Sequence, residues 1–353
     1  MKRSILAAVA VAAVTLGLAA CNSGDGESSN SVGSSSEPTT SSTQPASDFD
    51  ASSAITKYNR DGESGTRDGF YTKLGVEDAK KDDTYLASGS VTVTSNGDMM
   101  AKVGADEYGI GYSSLADLST SVRAVKVEGV EASEATVKDG SYVLQRNFNY
   151  VTKNLTLTNV HDALIQSYVS FMFSQEGIAI IQNDGGILND DALAAATPWS
   201  EIIADTINNT WVTTLGLSAS GATNASIPGE TIRFVGSTSV EPISTALSDA
   251  WAALFGANAP KVNHNHTGSG DAVKNLANGT GDIGFASRDF NESEKSEHTD
   301  YVFGTICRDA ICPIVNPANP VENLTLSQLR GIFLNADHVL EGDSTYTIWS
   351  QVL

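Results

Sequence analysis

The stretch Arg233-Phe-Val-Gly-Ser-Thr-Ser-Val-Glu-Pro-Ile243 decides the fold class. It closes an apolar, β-rich run over 232–235 and opens a helical pattern over 242–254, with Gly236-Ser237-Thr238-Ser239 as the turn between them. Working outward, the same succession recurs. Strand-like runs over 54–58, 109–112, 122–127, 283–286 and 311–315 alternate with helical patterns over 66–74, 162–174 and 326–333. Short apolar runs alternating with longer segments of helical period predict an α/β protein rather than a sandwich or a bundle.

Two further junctions share the chemistry of 236–239. Gly268-Ser269-Gly270-Asp271 and Ser64-Gly65-Thr66 also place small hydroxyl residues and glycine just before a predicted helix. Glycine admits close backbone approach, hydroxyls donate, and the first turn of a helix offers free N–H groups at the positive end of its dipole. Each junction is therefore an anion half-site in outline. Read alone, each is equally a capped turn, because Ser, Thr and Gly are common at helix starts.

The N-terminal flank speaks to compartment. Lys2 and Arg3 precede an apolar run over 5–18 that is too short for a comfortable membrane span, and Leu18-Ala19-Ala20-Cys21 resembles the lipobox of bacterial lipoproteins. We expect a signal peptide over 1–21, a lipid anchor on Cys21 and an extracytoplasmic protein held at the cell membrane. Residues 22–53 are dominated by Ser, Gly, Thr, Asp and Glu, with almost no large apolar side chain to offset the entropy of ordering, and they read as a disordered tether. The remainder, 54–353, is long enough for two lobes. The formal net charge of −21 excludes a nucleic-acid partner, because no cluster of Lys and Arg is present to displace phosphate counterions. It does not exclude a small anion, whose affinity comes from buried donors rather than from the long-range field. Cys307 and Cys312 can join in a disulfide if Arg308-Asp309 turns between them. In a continuous strand they lie too far apart, and the sequence leaves both possibilities open.

Several of these segments together resemble the phosphate-binding proteins of ABC transporters. Arg233 to Ile243 is similar to the first strand and helix start of that family; Gly268-Ser-Gly-Asp-Ala-Val-Lys-Asn-Leu-Ala-Asn-Gly279 and Asp282-Ile-Gly-Phe-Ala-Ser-Arg288 are similar to its next two binding loops. Asp309-Ala-Ile-Cys-Pro-Ile-Val-Asn-Pro-Ala-Asn-Pro320 and Leu324-Thr-Leu-Ser-Gln-Leu-Arg-Gly-Ile-Phe333 resemble the crossover and the helix after it. The second half of the pattern stands earlier in the chain, at Arg60-Asp-Gly-Glu-Ser-Gly-Thr-Arg-Asp-Gly-Phe70, Gly109-Ile-Gly-Tyr112, Val127-Glu-Gly-Val130, Tyr142-Val-Leu-Gln-Arg146 and Phe171-Met-Phe-Ser-Gln-Glu-Gly177. The order is that of a circular permutation, in which joining Leu353 to about Ala54 restores the ordinary sequence and 190–230 links the old ends. The alternative is a pair of incomplete copies that need another molecule. The resemblance implies a two-lobe, periplasmic-binding-protein-like type II α/β fold. One lobe is expected to hold about 230–310 with 135–228, and the other about 311–353 with 54–134.

It also implies a monomer that captures inorganic phosphate, or a similar oxyanion, between its lobes and delivers it to an ABC transporter permease without a cofactor. Thr238 and Ser239 would donate from the first helix start, Ser269 from the second loop, and Ser64, Gly65 and Thr66 from the opposite lobe. Arg60 would add a planar charged fork, unless it is a surface arginine paired with Asp61 or Glu63. One departure matters: many members carry an aspartate where this chain has Arg288, and that carboxylate rejects an oxyanion that brings no proton. Arg288 either contacts the anion or points away into a structural ion pair, and Asp271 or Asp61 is then the substitute acceptor. His264 and His266 form a His-x-His pair without an evident third ligand, which reads as an exposed polar strand end rather than a metal site. A phosphatase using Ser64 or Ser269 would need a nearby base, and none stands in a plausible order. A sensor or adhesion module on the same fold remains the other alternative.

Overall fold

The computed structural model describes residues 49–353. Cys21, the expected signal peptide and the expected tether as far as 48 lie outside the described residues.

A sheet of nine strands among the described residues runs through the molecule. On one side Thr231–Gly236 pairs in parallel with Lys261–Asn265 and Ile283–Ala286; on the other Thr56–Arg60 pairs in parallel with Val91–Val93 and Gly109–Ser114. Two long antiparallel strands, Gln145–Lys153 and Tyr301–Val315, join these halves. Gln145–Lys153 pairs with Ile283–Ala286, and Tyr301–Val315 continues past it to pair with Gly109–Ser114 and Arg123–Ala124. The predicted strand over 122–127 is broken at Val125, because Arg123–Ala124 pairs with 314–315 whereas Lys126–Val127 pairs with Asn323–Leu324.

The helices follow their caps. Gly65–Leu74 begins where the Ser64 side chain accepts from the N–H groups of Thr66 and Arg67, and stops at Gly75 in the left-handed conformation, φ 75°. Leu326–Phe333 opens with a reciprocal Thr325/Gln328 capping box. Glu241–Ala253 carries Pro242 in its first turn and buries Ile243, Leu247 and Trp251 against the sheet.

Apolar burial falls into separate cores that define the lobes. One contains Phe70, Tyr71, Tyr112, Ile314, Phe333 and Trp349, all drawn from 55–144 and 310–352 apart from Ile187. The other holds Phe148, Tyr168, Trp211, Phe234, Trp251 and Cys307, all drawn from 148–307, with a smaller cluster around Val235 and Leu276 on the same stretch of chain. Each fully buried aromatic contributes about 3 kcal/mol of transfer free energy. Val137, Tyr142 and Leu144 are buried in the first core, so the division falls some ten residues later than the expected boundary at 134/135. The 190–230 connection is also part of a lobe: Trp199 and Trp211 stack at 5.7 Å, and Leu215 and Ile227 are buried beside them.

Residues 49–53, the end of the expected tether, are built into the fold. Phe49 packs 5.2 Å from Tyr108 and 6.1 Å from Trp349, and Ser350 N–H donates to Ala51 O at 2.7 Å. An aromatic residue with a pocket to fill ends the polar run. Cys307 and Cys312 are both buried free thiols on the single strand Tyr301–Val315, one in each core. The turn that a disulfide required is absent, and Arg308-Asp309 continues the ladder opposite Asn147 and Arg146.

Candidate functional site

The carboxyl ends of strands from both lobes meet, and the loops leaving them carry the polar residues. Arg60 ends Thr56–Arg60, Asn96 follows Val91–Val93, Thr238 and Ser239 follow Thr231–Gly236, and Ser287 follows Ile283–Ala286. Crevices at such strand ends are where α/β sheets bind ligands.

Arg60 is fully buried and has no carboxylate partner among the described residues; it is not a surface arginine paired with Asp61 or Glu63. Its Nη1 donates to Asn96 Oδ1, and its Nη2 donates to Thr94 O at 2.9 Å and, across the cleft, to Thr238 Oγ1 at 3.1 Å. Its Nε is buried without a partner. Burial pulls the guanidinium pKa below its usual value, against the opposing field of Asp61. The backbone carbonyl of Arg60 is in turn held by Arg67 Nη1 at 3.1 Å.

Thr66 and Ser239 face each other across the cleft, hydroxyl to hydroxyl at 2.8 Å, and Asn96 Nδ2 donates to Ser239 Oγ at 2.9 Å. Ser269 Oγ accepts from Ser287 N–H at 2.9 Å, and Ser237 Oγ donates to Ser287 Oγ at 2.9 Å. Gly65 is required by the closeness of this approach: a Cβ there would stand 2.0 Å from Ser269 Oγ and 2.6 Å from its Cβ. Ser64 spends its oxygen on capping Thr66 and Arg67, which leaves its hydroxyl proton to give.

Sequence reasoning missed half of this cluster. Arg146, almost wholly buried, donates from Nη1 to Thr66 Oγ1 at 3.0 Å and from Nε to Asp309 Oδ2 at 2.8 Å, while its Nη2 stands 2.8 Å from the same oxygen without hydrogen-bond geometry. Asp117 accepts from Asn96 at 2.6 Å, and burial raises its pKa to about 6. The acidic members are thus Asp309 and Asp117. The expected substitutes lie elsewhere: Asp61 caps Glu63 N–H, and Asp271 takes the Thr267 hydroxyl and Lys274.

Arg288 is not in the cluster. Its guanidinium is spread over Glu294, with two bonds of 2.8 Å, and Asp68, 3.0 Å from Nε. A guanidinium already held by two carboxylates has no reason to turn inward, so the expected anion contact is corrected to an ion-pair role. The His pair is corrected as well. His264 and His266 are half-buried between Phe234 and Phe285, 3.1 Å apart, with His266 Nδ1 at 3.0 Å from Ser237 O. Burial pushes the His266 pKa down to about 4. They are an uncharged stack beneath the 236–239 loop, and no hydrogen bond links either to Ser64 or Ser269 among the described residues.

The site therefore presents two guanidinium groups, several hydroxyls and a helix start from opposing lobes, suited to an anion with several oxygens. That fold and site define a two-lobe α/β binding protein, and the comparisons agree. Residues 218–352 match the model of the PBP superfamily domain. Its relatives include phosphate-binding protein PstS 2 of Streptococcus agalactiae, 27% identical over 286 residues that cover 80% of this chain and 85% of the relative. PstS 2 of Streptococcus pneumoniae is 29% identical over 293 residues, 82% of this chain and 87% of the relative. The crystal structure of a phosphate-binding protein of a phosphate ABC transporter from Streptococcus pneumoniae shares the fold, with TM-score 0.60 and 25% identity over 85% of this chain and 100% of that one. Among the described residues, no helix is long and apolar enough to cross a membrane.

Proposed function

We propose that this protein captures inorganic phosphate between its lobes and passes it, without chemistry, to the permease of an ABC transporter. The observation that carries the reading is the convergence of Arg60, Thr66, Arg146 and Ser239 at strand ends of both lobes. Arg60 now donates to Thr238, Thr66 and Ser239 share a hydrogen bond, and Arg146 donates to Thr66. A tetrahedral oxyanion entering between them takes over those bonds, so dehydration is offset at nearly every oxygen. The ligand then touches both lobes only when they are together, and that differential contact stabilises the closed form that a permease can recognise. Asp117, which is still mostly ionised at neutral pH with its pKa raised to about 6, and Asp309 supply acceptors that favour an oxyanion still carrying a hydrogen.

The test is isothermal titration of the full-length protein with phosphate, sulfate and arsenate, repeated with Arg60→Ala. Phosphate is expected to bind saturably, with affinity lowered by about a hundredfold or more in the variant, the scale of two charge-assisted hydrogen bonds lost from a buried site. A well-folded wild type that binds no oxyanion overturns the reading.

Two further elements belong to it. Cys21 serves as the lipid anchor, and Cys21→Ser is expected to abolish incorporation of labelled fatty acid and release the protein from the membrane. The chain order is a circular permutation of a single monomeric domain. Supporting this, Ala54 bridges Ile348 and Trp349 N–H donates to Ser53 O at 3.2 Å, so the chain's end lies beside the start of its fold.

A further inference from the structure

Two cavities open on the cleft, and their charges differ. One, about 340 Å³, is lined by Asp68, Lys73, Lys80, Arg146, Arg288 and Asp289 among others. The second, about 640 Å³, is lined by Asn96, Asp117, Thr238, Glu241 and Asp249 and has no cationic side chain in its wall. In a chain of net charge −21, the basic mouth is the one an anion can use, because a low-dielectric wall of one sign focuses the local field. The Arg288–Asp68 ion pair lies in that mouth, at 3.0 Å. Its partners come from different lobes. Asp68 sits in Gly65–Leu74, beside the core that holds Phe70, whereas Arg288 follows Ile283–Ala286, beside the core that holds Phe285.

We infer that Arg288 and Asp68 form a latch between the lobes, closing the basic mouth and slowing release of the bound anion; the inference rests on reading the cleft as an oxyanion site. Each half of the latch is pre-set on its own lobe. Glu294 grips Arg288 through both of its oxygens and is itself fixed by the N–H of Asn291, while Lys80 holds Asp68 at 3.2 Å. Those contacts persist when the lobes part. Of the contacts made by Arg288 and Asp68, the one between them spans the lobes, so it adds to the closed state alone and needs little further ordering of side chains. With side chains only 12% and 17% exposed, the pair is shielded from most of the screening that weakens surface ion pairs. The latch also gives Arg288 a role at the position where many relatives of the resembled family carry an acid.

The test is a double-mutant cycle on release. Phosphate dissociation is followed by stopped flow in the full-length protein, in Asp68→Asn, in Arg288→Gln and in the double variant. Each single change is expected to raise the dissociation rate about tenfold with less than a twofold change in association, and the double variant to be no faster than either single one. Unchanged dissociation in Asp68→Asn, or fully multiplicative effects, overturns the latch. Arg288→Gln strips Glu294 of its partner and risks misfolding; if it does misfold, Asp68→Asn decides alone. A second measurement separates failure of the latch from failure of the phosphate reading. Spin labels on Lys102→Cys and Ser220→Cys report lobe separation in ligand-free protein, which Asp68→Asn is expected to increase whether or not phosphate is the ligand. An unchanged separation counts against the latch.

Discussion

His161 stands between two carboxylates, with Nδ1 at 2.8 Å from Glu230 and Nε2 at 3.2 Å from Asp282. The hydrogen bond to Asp282, aided by Glu230 and opposed by burial, raises its pKa to about 9. A raised folded-state pKa stabilises the protein fully below the unfolded value near 6.5, and that stability drains away as pH rises through about 9. Urea midpoints measured from pH 6 to pH 9.5 are expected to fall across this window in the wild type. The fall should be clearly flatter in His161→Gln, and parallel slopes would remove His161 as its source. The same scale shows why some site residues were legible and others were not. Thr238, Ser239, Ser269 and Ser64 announce themselves through local turn chemistry, and Arg60 through its distance from Ser64 in the resembled motif. Arg146 and Asp309 carry no such mark, since they meet only because two strands far apart in sequence pair in that register. Asn96 had a readable signal, a Ser-Asn-Gly helix start after a short strand, which went unused. For Arg288 the sequence left contact and ion pair open, and only the placement of Glu294 and Asp68 decided between them.

Among the elements, Tyr301–Val315 does most to organise the molecule. It lends its first half to one core and its second half to the other, with an irregularity in pairing between Thr305 and Cys307. Only its last five residues read as a strand, because 301–305 are intermediate or exposed and lack a continuous apolar run. Continuity also answers the cysteine question: five residues of extended chain span about 16 Å, far beyond the reach of a disulfide. Burial pushes both thiols well above their ordinary pKa, which makes them inert as nucleophiles. The helices expected over 326–333 and 242–254 stand as Leu326–Phe333 and Glu241–Ala253, since capping signals are local.

At the scale of the molecule, the two lobes share one sheet, and the chain's end lies against residues 51–55. Ile55 N–H donates to Thr347 O at 2.8 Å and Ser350 N–H to Ala51 O at 2.7 Å. Opening the chain within 190–230 and joining 353 to 54 by a short linker therefore disturbs little of the packing between them. The rebuilt chain, ordered 230–353 and then 54–190, is expected to fold as a monomer and bind phosphate within about tenfold of the natural order. It will be less stable, because the connection buries Trp211, Leu215 and Ile227. Aggregation or loss of binding in a rebuilt chain that retains this connection as a tail would contradict a single permuted domain.

By itself the sequence determined the α/β class, several of the helices, the hydroxyl-rich loops and the family resemblance, because propensity, capping and turn chemistry act over a few residues. Tertiary structure alone decided where the lobes divide, which arginine faces the cleft, which carboxylates accompany it, and that the cysteines stay apart. Those outcomes depend on strand register and on which distant surfaces are pressed together, and no local window of the chain encodes them.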